Sequence, residues 1–140
     1  MITKEEKLLE CIPARIKTTE VLNLINSGII NSKYLSVLKH FSNFSDDIIS
    51  NWLNINVKTY RSYKKADSTI KADIQEHTVM LLALIKHGID VFGSKNDFSE
   101  WLETENFHFW KKKPIEYLNT ISGIMFVDNS LTGMEYGDNA

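Results

Sequence analysis

The sequence predicts an all-α, compact helical protein, and three observations carry that prediction. Proline occurs only twice, at Pro13 and Pro114, so almost nothing interrupts helical hydrogen bonding. Apolar residues recur at three- and four-residue spacing over successive segments. No stretch shows the sustained period-two alternation with β-branched enrichment that marks half-buried strands.

The elements come in order, bounded by cap chemistry. A first helix over about 18–27 takes Thr18 or Thr19 as N-cap, carries Val21, Leu22 and Ile25 as its apolar stripe, and stops at Gly28. A second, over about 32–41, places Tyr34, Leu35, Leu38 and Phe41 on one stripe. Ser45 caps a third over about 46–53, where Asp46 and Asp47 suit the positive end of the helix dipole and Ile48, Ile49, Trp52 and Leu53 face inward. Asn54, Ile55 and Asn56 form a turn, since asparagine tolerates left-handed backbone and can cap the next helix. That fourth helix covers about 57–66. A polar connector at about 67–72 divides the chain into an N-terminal region, 1–68, and a C-terminal region, 69–140. The longest helix spans about 73–92 and is apolar on most faces, which makes it central or places it in an interface; Gly93 ends it. A shorter helix over about 95–103 carries Phe98, Trp101 and Leu102 on one face, with Trp101 expected in the core. A loop over about 104–113 leads to Pro114, which opens a turn with Ile115, Tyr117 and Leu118. The last helix covers about 121–132, and a tail runs from Gly133 onward.

Totals bound the function. A chain of 140 residues with 43% hydrophobic and 24% charged residues buries a real core. No apolar run approaches the ~20 residues that span a bilayer, and the longest extends only from Val79 to Ile85. The first residues carry acids and no apolar signal core, and the single cysteine, Cys11, forms no internal disulfide, so a cytoplasmic location is expected. The formal charge of −2 excludes a polycation, so nucleic acid can be bound only through a local basic patch.

One such patch exists. The third helix, the turn and the fourth helix have the lengths of a helix-turn-helix. No acid occurs from Val57 to Ala66. Val57, Tyr60 and the stem of Lys64 share a face that packs on Trp52 and Ile49, leaving Lys58, Arg61, Ser62 and Lys65 on the other. Together with Thr59, these are the candidate DNA-binding residues. Such a face neutralises phosphates, and Lys58 or Arg61 reaches base edges; the competing reading is an ordinary solvated amphipathic helix.

From about Val21 onward the chain resembles the Xre/MbcA/ParS antitoxins, the partners of RES-domain toxins. In the first half, Leu38, Phe41, Ile48, Leu53, Ile55, Thr59 and Tyr60 fall on the apolar and recognition-helix positions of the pattern. More specific landmarks lie in the second half: Val91-Phe92-Gly93, Phe98, Trp101-Leu102, Asn106, Pro114, Tyr117-Leu118, Gly123, Val127 and Met134-Glu135-Tyr136-Gly137. The resemblance implies a helical toxin-binding domain, homodimerisation, inhibition of a NAD-consuming RES toxin and repression of the chain's own operon. It assigns toxin contact to Met134, Glu135, Tyr136, Gly137 and Asp138. Glu135 is suited to pair with a phosphate-holding arginine, and Tyr136 to fill an apolar subsite. The chain departs from the pattern at Glu105 and over Phe107-His108-Phe109-Trp110-Lys111-Lys112-Lys113, where the family has a small glycine-containing loop. Partner contact is expected to differ there, although the lysine run by itself reads as a solvated loop.

No catalytic or metal constellation is legible, and no cofactor is implied. His40, His77, His87 and His108 never stand three or four residues apart, and no glycine-rich phosphate loop occurs. A DNA-binding transcriptional regulator without a toxin partner is the alternative to the antitoxin reading.

Overall fold

The computed structural model describes residues 2–13, 15, 17–65 and 69–137. Among these there are eight α-helices and two short 3-10 helices, and no strand. The helices are α1 (Lys4–Leu9), α2 (Thr18–Ser27), α3 (Lys33–Ser42), α4 (Asp46–Trp52), α5 (Val57–Lys65), α6 (Ala72–Phe92), α7 (Lys95–Leu102) and α8 (Ile121–Glu135). The 3-10 helices are Phe107–Phe109 and Pro114–Tyr117.

Cap chemistry sets most boundaries. Ser45 accepts the Ile48 N–H at 3.3 Å and starts α4. Asn54 takes the left-handed conformation at φ 58°, and the Asn56 side chain accepts the Thr59 N–H at 2.8 Å to open α5. Gly28 and Gly93 end α2 and α6 with φ of 75° and 86°. Three expectations are corrected. The N-cap of α2 is Lys17, which makes no side-chain cap bond, rather than a threonine. Ile70, placed in a polar connector, is buried in the core. The helix expected to stop at Thr132 continues to Glu135, because half-buried Met134 packs against the core and Glu135 is held from α6. The expected end of the fourth helix at Ala66 lies outside the described residues.

Helix α6 is the axis of the molecule. Eight successive residues, Thr78 to Ile85, are buried, which covers more than two turns and therefore every face. A helix buried all round must be enclosed, and α2, α3, α7 and α8 enclose it. One continuous apolar core results, from Ile12 and Leu35 through Trp52 and Leu81 to Leu131, and it runs across both halves of the chain. Two polar groups enter it with partners: Thr78 Oγ1 donates to the Ile74 carbonyl at 2.7 Å, and His77 Nε2–H donates to the Leu118 carbonyl at 2.9 Å. Burial holds His77 below the ordinary histidine range, against the opposing pull of that carbonyl and of Glu76 and Asp73.

Helix α7 lies so close to α6 that a Cβ at Gly88 would stand 2.4 Å from the Phe98 ring. Gly88→Ala should therefore destabilise the protein by about 1–3 kcal/mol despite alanine's better helix propensity. Urea unfolding followed by circular dichroism measures it, and an unchanged midpoint would contradict this packing.

Candidate functional site

Helices α4 and α5 form the first candidate surface. Tyr60 is fully buried, and the Lys64 ammonium lies 5.2 Å from its ring centroid, so the inward face is as the sequence implies. Lys58, Ser62 and Lys65 are exposed on the outer face, whereas Thr59 is half-buried. Arg61 is exposed but not idle. Its Nε donates to Asp46 Oδ2 at 3.2 Å, while Lys39 Nζ and Lys64 Nζ lie 3.2 and 3.8 Å from Asp46 Oδ1. Burial works to raise the Asp46 carboxyl, but Arg61, Lys39 and Lys64 outweigh it and hold it below the usual carboxylate range. Asp46, read from the sequence as a dipole-compensating acid, therefore also fastens α5 to α3 and α4.

The second surface is built where α8 and the preceding loop cover one end of α6 and α7. Its base is a run of aromatic rings. Phe92 meets Trp101 at 5.6 Å between centroids, Trp101 meets Phe109 at 5.8 Å, and Phe109 meets Phe126 at 5.1 Å and Tyr117 at 5.7 Å. Trp101, expected in the core, is half-buried and packs against the core within this run. The landmark residues acquire physical roles here. The Asn106 side chain accepts the His108 N–H at 2.9 Å, and its own N–H donates to the Lys112 carbonyl at 3.0 Å, so it closes the loop from within. Tyr117 Oη donates to the Phe109 carbonyl at 3.1 Å. Gly123 lies where a Cβ would come within 1.8 Å of the Tyr117 carbonyl oxygen.

The C-terminal residues are organised by a buried histidine. His87 Nδ1 lies 2.7 Å from Asp128 Oδ1, and His87 Nε2 donates to Glu135 Oε1. Both ring nitrogens face carboxylate oxygens, an arrangement that favours the imidazolium, which can donate to both. Burial disfavours that charge, but the two carboxylates outweigh burial and keep His87 above the ordinary histidine range. The hydrogen bond from His87, with a smaller contribution from Arg15, in turn keeps the Glu135 carboxyl below its usual range. Met134 is half-buried, and the Glu135 carboxylate is already engaged within the chain. Tyr136 projects at 75% exposure, and Gly137 follows at φ 88°. Asp138 lies outside the described residues.

Sequence reading missed this clamp because its members are 41 and 48 residues apart. The available signal was that Asp128 and Glu135 stand seven residues apart on one helix, hence on one face about two turns apart. That face needed a cationic partner.

The clamp has a definite pH signature. A histidine whose pKa rises on folding contributes stability in full below its unfolded value of about 6.5 and loses it as pH rises through the folded value. Glu135 acts in the opposite sense: its contribution is present above the unfolded carboxylate value and is lost as pH falls through its lowered folded value. The clamp is complete between these limits. Unfolding free energy should therefore decline as pH rises from about 6.5 through the raised His87 value and level off above it, and His87→Gln should remove that decline. Denaturation curves of both proteins from about pH 5.5 to about pH 9 give the comparison; identical pH profiles would contradict the charged clamp.

Comparison with known proteins accords with this architecture. No curated protein matches the chain. Residues 87–137 match the family described as the antitoxin Xre/MbcA/ParS C-terminal toxin-binding domain. The matched segment opens on His87 of the clamp and extends just past Glu135, so it contains the clamp and the aromatic run together. This is a family of toxin-binding domains rather than of enzymes, and its partner is a toxin. Over this segment the chain is similar to the toxin-binding domain of the Xre/MbcA/ParS antitoxins.

Proposed function

We propose that this chain is an antitoxin that neutralises a NAD-consuming RES-domain toxin in the cytoplasm, and that it represses its own operon as a homodimer. Toxin contact is assigned to the end of α8 and the residues beyond it: Met134, Glu135, Tyr136, Gly137 and Asp138. The observation that carries the assignment is the His87 clamp, which fixes the last turn of α8 and leaves Tyr136 extended into solvent. A side chain presented by a rigid turn loses little freedom on binding. Glu135 then acts chiefly as the anchor, and Tyr136 as the group that enters an apolar subsite of the toxin.

DNA contact is assigned to α5, with Lys58, Arg61 and Lys65 on phosphates or base edges and Thr59 and Ser62 beside them. The exposure of Lys58, Ser62 and Lys65 on an acid-free helix supports this reading. The chain's net charge of −2 limits affinity per copy, which is why a dimer reading two half-sites is proposed.

Two measurements test the reading. Co-expression with the toxin encoded beside it should restore growth for the unaltered chain, and Tyr136→Ala should weaken the complex by roughly tenfold or more, the effect of losing an interface anchor. Full rescue and unchanged affinity would remove the tail from the contact. On a fragment of its own promoter, Lys65→Ala should make log affinity against log salt shallower by about one per lost phosphate contact. No binding at low salt would end the autorepression proposal and leave the antitoxin role in place.

A further inference from the structure

The loop over 107–113 combines three properties that a merely solvated loop does not need. First, it displays large apolar side chains: Phe107 is 81% exposed and Trp110 69%. Most large apolar residues of this chain are at least partly buried, and exposed aromatics grouped in one place mark contact sites. Second, the display is rigid. The Asn106 carbonyl accepts from the N–H groups of Phe109 and Lys111, and the Lys112 N–H donates to the Phe109 carbonyl at 2.9 Å. The Trp110 ring stacks on Phe126 at 5.5 Å and lies 6.0 Å from Tyr117, so it stands at the outer end of the aromatic run. Third, the backbone is strained to hold it there. Trp110 and Lys111 are consecutive left-handed residues, with φ of 55° and 63°, and neither is glycine. Such conformations cost about 1–2 kcal/mol each and persist where the surroundings over-determine them.

Charge narrows the partner. Lys111, Lys112 and Lys113 are exposed, and none forms an ion pair among the described residues. Met125 and Phe126 of α8 widen the apolar surface beside them, at 47% and 38% exposure. A complementary surface therefore has an apolar hollow for the two aromatic rings and carboxylates along one rim. The whole loop lies inside the segment that matches the toxin-binding domain. The placement inside the matched segment favours a toxin over a single-stranded nucleic acid, which aromatic rings beside lysines could equally engage.

We propose that the 107–113 loop is a second contact for the toxin, separate from the end of α8, with Phe107 and Trp110 as apolar anchors and Lys111, Lys112 and Lys113 engaging an acidic rim. It sets which toxin the antitoxin accepts, since mismatched surfaces would leave the rings without a hollow and the lysines without partners. The proposal rests on the antitoxin reading above.

The test is titration of the full chain into a catalytically inactive form of the toxin encoded beside it, with circular dichroism to verify folding. Trp110→Ala and Phe107→Ser should each weaken binding by about 30-fold or more, as interface anchors do. Replacing the three lysines together by glutamate should lower the association rate by about tenfold and invert its salt dependence. All three replacements lie on exposed side chains, and if Trp110→Ala unfolds the chain, Phe107→Ser and the lysine replacement decide. Tight binding by the unaltered chain with equal binding by folded loop variants overturns this proposal alone. Absence of binding by the unaltered chain overturns the antitoxin–toxin pairing it rests on, and this proposal with it. Retention of a single-stranded oligonucleotide that is lost in the loop variants, with toxin binding unchanged, assigns the loop to nucleic acid and equally overturns it.

Discussion

The burial of α6 on every face is the constraint on which the rest of the architecture depends. A helix with Thr78 to Ile85 all removed from water cannot stand at a surface, so each neighbouring element is obliged to bring an apolar face to it. This explains why the core crosses the middle of the chain without interruption. It also explains why Thr78, His77 and His87 have partners at hydrogen-bond distance: in a dry interior an unpaired donor or acceptor is expensive. The two histidines, on the same helix, illustrate two solutions. One remains neutral against a backbone carbonyl; the other is charged between two carboxylates.

The same helix carries the end of the molecule proposed to meet the toxin. His87 and Gly88 are adjacent, and each fixes a different neighbour. Gly88 admits the Phe98 ring and so sets the approach of α7. His87 reaches across to Asp128 and Glu135 and so sets the position of α8. Both elements then frame the aromatic run that ends at Trp110. A buried charge pair is a costly way to hold two helices together, and hydrophobic residues of similar size often do it as well. What the charged pair adds is direction: it fixes which turn of α8 faces α6.

Much of the fold was legible in the sequence because its boundaries are local. Ser45, Asn56, Gly28 and Gly93 act on residues within a turn of themselves, and each acts as its chemistry implies. The missed features depend on residues far apart. Helix α1 has a conventional Thr3 cap, but Lys86 of α6 holds its C-terminal end and the chain just beyond, donating to the Leu9 carbonyl at 3.5 Å and to the Ile12 carbonyl at 3.0 Å across more than 70 residues. Glu135 belongs to α8 rather than to a tail from Gly133 onward, because Met134 and the His87 contact outweigh the poor helix propensity of Gly133. At the candidate sites the landmarks from Phe92 to Gly137 could be read in order, and the faces of α5 followed from periodicity. The pairing of Arg61 with Asp46, the clamp, and the exposure of Trp110 could not, since each is decided by tertiary placement.

The three tryptophans fall into three different surroundings, and this gives the molecule an optical map of itself. Trp52, the last residue of α4, is 2% exposed, Trp101 of α7 is half-buried in the aromatic run, and Trp110 is largely in water. An indole in water emits at longer wavelength than one in an apolar interior. The red edge of the native emission therefore belongs to Trp110, and the blue edge to Trp52. A partner that covers the 107–113 loop would shift only the red component, while loosening of the N-terminal helices would shift only the blue one. Intrinsic fluorescence can thus separate events at the two ends of the protein without any added label.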